Sequence, residues 1–145
     1  MSDKKILVIN GPNLNLLGLR EPEIYGKQNY AALEQLLADT AERLKVEMDV
    51  MQSNHEGVLV DTIQQAWGVY DGIVINPAAY THTSVAILDA LKAVGIPVVE
   101  VHLSDISQRE SFRQFSYVSL AACKTVSGKG FAGYVEAMEY LMSIL

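Results

Sequence analysis

Lys5–Ile9, KILVI, runs directly into Asn10-Gly11-Pro12-Asn13. A short run rich in β-branched residues that stops on turn formers reads as a strand buried on both faces and ending in a loop. The same signature recurs along the chain. Gly72–Ile75 (GIVI) stops on Asn76-Pro77, and Val98–Val101 (VVEV) starts after Gly95-Ile96-Pro97. Val46–Gln52 reads as a further strand, and a fifth is placed near Cys123–Ser127. Between these runs the apolar residues change period. From Tyr30 to Leu44 they fall at Leu33, Leu36, Leu37, Ala41 and Leu44, the spacing of one helix face. Val58–Trp67 repeats that pattern, as does Ser84–Ala93, which Thr83 or Ser84 can cap. A helical turn is expected around Arg109–Phe115, and Gly128 and Gly130 break the chain before a closing helix from Phe131 to about Ile144.

Strands alternating with helices require a parallel sheet covered on both faces. Right-handed crossovers make a three-layer, doubly wound sheet the simplest arrangement. With five strands the expectation is α/β, flavodoxin-like, in the order 2-1-3-4-5. Residues 1–145 carry no internal repeat, linker or low-complexity tract, so they read as one domain. A (β/α)₈ barrel needs about 250 residues and does not fit. The composition, 50% hydrophobic and 19% charged, is that of a globular chain. The single cysteine, Cys123, excludes an internal disulfide and fits the reducing cytoplasm; it reads as a small core residue. No apolar run approaches the roughly 18 residues of a membrane span, and the start lacks the pattern of a signal peptide. A net charge of −6 argues against nucleic acid as a partner. An anionic substrate would need a few locally placed arginines.

In such a sheet, ligands bind beyond the carboxyl ends of the strands, where the strand order reverses. The unusual polar residues fall there: Asn10, Asn13, Asn15, Arg20 and Tyr25 after the first strand, Ser53–Glu56 after the second, Asn76, Tyr80, Thr81 and His82 after the third, and His102, Ser104, Asp105, Arg109 and Arg113 after the fourth. All three histidines are among them. Several chemistries fail at these positions. The first loop is neither GxxxxGK[ST] nor GxGxxG, and no GxSxG elbow exists. The histidines lack metal-ligand spacing and there is no cysteine cluster, so neither a metal nor another cofactor is expected.

The loop GPNLNLLGLREPEIYG (residues 11–26), with QSNHEG (52–57), NPAAYTHTS (76–84), EVHLS (100–104), Arg109-Glu110, Phe112-Arg113 and Ser116-Tyr117, resembles the type II 3-dehydroquinate dehydratase family in order and spacing, nearly end to end. The resemblance implies a hydro-lyase that dehydrates 3-dehydroquinate to 3-dehydroshikimate by anti elimination through an enol or enolate, a shikimate-pathway step.

Such a reaction needs a base α to a ketone, stabilisation of the enolate and an acid for the departing hydroxyl. Tyr25 is the candidate base. A free phenol titrates near 10, so it needs a cation beside it, and Arg20 in the same loop is suited to that task. Out of this context Tyr25 would read as a loop anchor and Arg20 as a solvated charge. His102 is the candidate acid; Glu100, two residues earlier on a strand, shares its face and can orient the ring. By resemblance Asn13 holds a water against the enolate, while Asn76, His82, Leu103, Ser104 and Arg113 bind substrate, Arg113 through the carboxylate. Leu103 and Ser104 would act mainly through backbone N–H groups. Asn13 and Asn76 also suit plain turns. His55 and Glu56 are assigned to loop support.

The sequence departs from the commoner family pattern at Leu88, Asp105, Ser107, Gln108 and Phe115, none a proposed chemical residue. The resemblance also implies a homo-oligomer, a dodecamer built of trimers, with Asp89 reaching a neighbouring subunit's site. Gly18–Gly26 is expected to act as a lid. Two other classes compete: a non-catalytic binding module that keeps the cleft, and a hydrolase using Ser104, which leaves Tyr25 without a task.

Overall fold

Alternate side chains of a strand point to opposite faces of its sheet, and in β1 (Lys5–Asn10) both faces are buried. Ile6 and Val8 pack on one side, Leu7 and Ile9 on the other. The computed structural model describes residues 3–19 and 28–145. Within them β1 is joined by β2 (Glu47–Gln52), β3 (Gly72–Asn76), β4 (Val98–His102) and β5 (Lys124–Ser127), alternating with α1 (Tyr30–Leu44), α2 (Glu56–Ala66), α3 (Val85–Val94) and α4 (Ala132–Ile144). Every strand pairing is parallel and the order is 2-1-3-4-5, the expected doubly wound α/β sheet.

The alternation sorts the core into two layers. Ile6, Val8, Val74, Val99, Val101 and Val126 meet Leu33 and Leu37 of α1 and Tyr134, Met138 and Leu141 of α4. Ile9, Ile73, Ile75 and Val98 meet Leu59 and Ile63 of α2 and Ile87 and Leu91 of α3. Two helix entries carry side-chain caps: Asn29 accepts from the Ala32 N–H (2.8 Å), and Ser84 Oγ from the Ile87 N–H (2.9 Å). Of the two capping candidates before α3, it is Ser84 that serves.

Three details differ from the sequence expectation. The turn expected around Arg109–Phe115 is the 3-10 turn Ser111–Arg113, and a second one that was not expected, Ile106–Gln108, precedes it, with Arg109 and Glu110 in extended backbone between them. Leu36 is only half-buried at the edge of α1's apolar face. Cys123 is exposed, its thiol donating to the Val98 carbonyl (3.3 Å) at the entry to β5, so it is not a core residue. Among the described residues no helix is long and apolar enough to cross a membrane.

Candidate active site

β4 ends in Glu100-Val101-His102, and the two-residue spacing brings both titratable side chains to one face. Glu100 is completely buried. Its Oε2 accepts from Thr81 Oγ1 (2.8 Å) and Ser116 Oγ (2.6 Å), and Oε1 from Ser119 Oγ (2.6 Å) and Thr125 Oγ1 (3.2 Å). Oε2 also takes the N–H of His102 Nε2. Burial works to raise the Glu100 pKa. The hydrogen bond and charge of His102, with the Ser116 and Ser119 hydroxyls, outweigh it and hold the group down to about 2. Glu100 is therefore an acceptor at neutral pH, which fixes the proton of His102 on Nε2 and leaves Nδ1 as the ring nitrogen for chemistry. Ser116 and Ser119 had no assigned role in the sequence, because they arrive from an irregular stretch 16 and 19 residues beyond Glu100.

The loop after β1 is shaped by a close approach. A Cβ on Gly11 would stand 2.5 Å from the Pro77 carbonyl oxygen, so only glycine lets the β1 and β3 loops meet. On either side of this contact Asn13 (φ 69°) and Ala78 (φ 52°) occupy the left-handed region, a strain that clusters at functional sites. The loop is braced from β2: Gln52 Nε2 donates to the Gly11 carbonyl (3.1 Å), and Asn54 Oδ1 accepts the Asn13 N–H (3.0 Å). Tyr80 in turn holds the Asn54 carbonyl (2.8 Å). QSNHEG thus supports the site through Gln52 and Asn54. His55 marks the start of α2, its backbone N–H on Ser53 Oγ (3.0 Å).

A cavity of about 250 Å³ lies between these loops and gathers Asn13, Asn76, His82, His102, Leu103, Ser104 and Arg113. It adjoins a more apolar one of about 680 Å³ that shares Asn13, Leu103, Ser104 and Arg109. His82 Nδ1 lies 2.8 Å from the Phe115 carbonyl; a carbonyl can only accept, so Nδ1 carries the proton and Nε2 stays available. The Leu103 and Ser104 carbonyls are tied to the scaffold by Gly130 N–H (3.0 Å) and Ser127 Oγ (3.1 Å). Ser104 Oγ accepts from Arg109 Nη1 (3.3 Å) and among the described residues donates to no histidine base, which removes the arrangement a serine hydrolase needs. Arg113 Nε pairs with Glu110 at 2.8 Å. Arg109, which had no assigned role in the sequence, lines both cavities.

Arg20 and Tyr25, with most of the Gly18–Gly26 segment, lie outside the described residues. Asp89 is on the exposed side of α3 and does not line the cavity. Among the described residues no three His, Cys, Asp or Glu side chains gather as a metal site.

The family model for dehydroquinase class II matches residues 4–142. A 3-dehydroquinate dehydratase of Gloeothece citriformis is 53% identical over 148 residues, covering 99% of this chain and 97% of its own. One from Streptomyces avermitilis is 54% identical over 145 residues, covering 99% and 91%. Among solved structures, a type II dehydroquinase from Butyrivibrio crossotus superposes with a TM-score of 0.91 at 47% identity, over 95% of this chain and 97% of that one. A 3-dehydroquinate dehydratase-like protein from Bifidobacterium longum reaches 0.73 at 32%, over 97% of each.

Proposed function

The chain belongs to the dehydroquinase class II family, the 3-dehydroquinate dehydratases of the shikimate pathway, and from that premise we propose how its residues divide the reaction. Tyr25, as a phenolate stabilised by Arg20, takes the proton α to the ketone. The electron pair moves onto the carbonyl oxygen, where a water held by Asn13 donates to the enolate. When the enolate collapses, the C=O reforms, a C=C bond forms beside it, and the hydroxyl leaves as water with the Nδ1 proton of a doubly protonated His102, whose Nε2–H stays on Glu100. The proton on Tyr25 then returns to His102 through solvent. Arg113 pairs the substrate carboxylate; Asn76, His82 and the N–H groups of Leu103 and Ser104 hold its oxygens.

One observation carries this reading: a fully buried, ionised Glu100 grips Nε2 of His102, whose Nδ1 remains for a cavity shared with Asn13. Pure protein incubated with 3-dehydroquinate is expected to generate the ultraviolet absorbance of a conjugated enone carboxylate. Tyr25→Phe and His102→Ala should each lose about 10²–10⁴-fold in kcat with the fold retained. Near-normal turnover by either folded variant removes that residue from the scheme.

We propose further that the subunits form trimers that assemble into a cytoplasmic dodecamer, Asp89 of one subunit completing the site of another. In support, Val85 and Asp89, one helical turn apart, share the exposed face of α3.

A further inference from the structure

Among the described residues Tyr134 is the only tyrosine with no solvent exposure, and it has no part in the scheme above, yet its hydroxyl meets Asn76, which lines the cavity. Tyr134 is in the first turn of α4, its ring packed in the layer with Ile6, Val8 and Val74. The alternation that sends those three side chains towards α4 sends Asn10 and Asn76 there as well, one at the end of β1 and one at the end of β3. The two asparagines are partners in register across the β1–β3 pair, where the strand order reverses. Both are buried, at 0% and 2% exposure. A buried amide in an apolar layer must be satisfied, and Tyr134 satisfies both: Asn76 Nδ2 donates to its hydroxyl (2.9 Å), and the hydroxyl donates to Asn10 Oδ1 (2.7 Å).

The polarity of this chain is fixed at one end by the backbone. The Ala78 N–H can only donate, so the atom of Asn76 that it meets at 3.1 Å is Oδ1. Nδ2 of Asn76 then faces Tyr134, whose oxygen must accept and whose single proton is left for Asn10. Asn10 Nδ2 closes the series on the Tyr30 hydroxyl (3.4 Å), at the first residue of α1. Burial also raises the Tyr134 pKa, so the hydroxyl keeps its proton.

We infer that Tyr134 is a positioning residue that makes Asn76 a donor towards the cleft. With Oδ1 held by Ala78 and one Nδ2 hydrogen held by Tyr134, the second Nδ2 hydrogen is what Asn76 can offer a ligand. It selects an acceptor oxygen of the substrate and rejects an N–H or ammonium group at that point. This rests on Asn76 contacting substrate, as the proposed function has it.

The test uses the whole protein and 3-dehydroquinate at a temperature well below melting. Tyr134→Phe keeps the ring and deletes the hydroxyl; KM is expected to rise about three- to tenfold, the worth of one hydrogen bond, with kcat nearly unchanged. Asn76→Ala should show a similar loss, and Tyr134→Phe added to it should cost nothing more in KM, because the hydroxyl acts through that amide. A purely structural role lowers the melting temperature but leaves KM alone, or adds fully to Asn76→Ala in KM, and either outcome overturns the inference while the reaction scheme stands. An unchanged KM in Asn76→Ala overturns the substrate contact and this inference with it. Should Tyr134→Phe fail to fold, Asn10→Ala carries the same test. It frees the Tyr134 proton to turn towards Asn76 and repel Nδ2, and a folded Asn10→Ala with unchanged KM is equally fatal.

Discussion

A carboxylate without solvent must be matched by donors or give up its charge, and Glu100 is matched by Thr81, Ser116, Ser119, Thr125 and His102. Its pairing with His102 was legible in the sequence, since residues two apart on a strand share a face. The hydroxyls were not, because no local spacing joins Ser116 or Ser119 to β4; they meet Glu100 only after the chain returns along the sheet edge. The match has a pH signature. The Glu100 pKa is depressed from the ordinary 4.5 to about 2, so the stability it contributes is fully present above about 4.5 and is lost as pH falls towards 2. Glu100→Gln should therefore melt lower than the parent at pH 7, with the gap narrowing between pH 4.5 and 2. Thermal melts of both proteins across that range check this; a constant gap would mean that Glu100 is not held as a carboxylate. The Tyr25 and Arg20 assignments rest on the family motif, since both residues lie outside the described part of the chain.

At the scale of elements, the strands and helices were readable because their apolar periods differ, 2 against 3.6, and because turn formers punctuate them. The ends of β1 and β3 read only as loops. What makes them a site is the contact of Gly11 with the Pro77 carbonyl, a long-range fact that places Asn13 and Ala78 in left-handed backbone on either side of it. Gly11→Ala forces the two loops apart. We expect it to cost about 1–3 kcal/mol by overpacking and to impair turnover along with stability, since Asn13 and Asn76 move together. Urea unfolding and kcat/KM report the two losses; a variant destabilised but fully active would mean that the loops tolerate independent movement. By contrast Ser84→Ala removes only the cap of α3 and should cost about 1 kcal/mol, leaving kcat unchanged in the same assays.

For the whole molecule, the apolar residues that do not fit the two buried layers are informative. Val58 (44% exposed), Trp67 (72%), Val69 (53%) and Val85 (47%) are in α2, just after it, or at the start of α3, two helices that cover the same face of the sheet. A soluble monomer has little reason to leave such a surface to water, and a face like this commonly meets another protein surface. Asp89, alone among the described candidate site residues in not lining this subunit's own cavity, is on the exposed side of α3, one turn from Val85. Both facts have one explanation if a second copy covers this side and receives Asp89. Light scattering is then expected to give a particle about twelve times the 15.9 kDa chain, and Trp67→Glu or Val85→Glu should dissociate it. Asp89→Ala makes the sharper case. It should keep the assembled mass yet lose turnover by about tenfold or more, as a charged hydrogen-bonding group is removed from a site. Unfolding and reassembling it with an excess of inactive His102→Ala subunits should restore activity, because mixed neighbours pair an intact His102 with an intact Asp89. No recovery in mixed particles of full size would mean that Asp89 serves its own subunit or none.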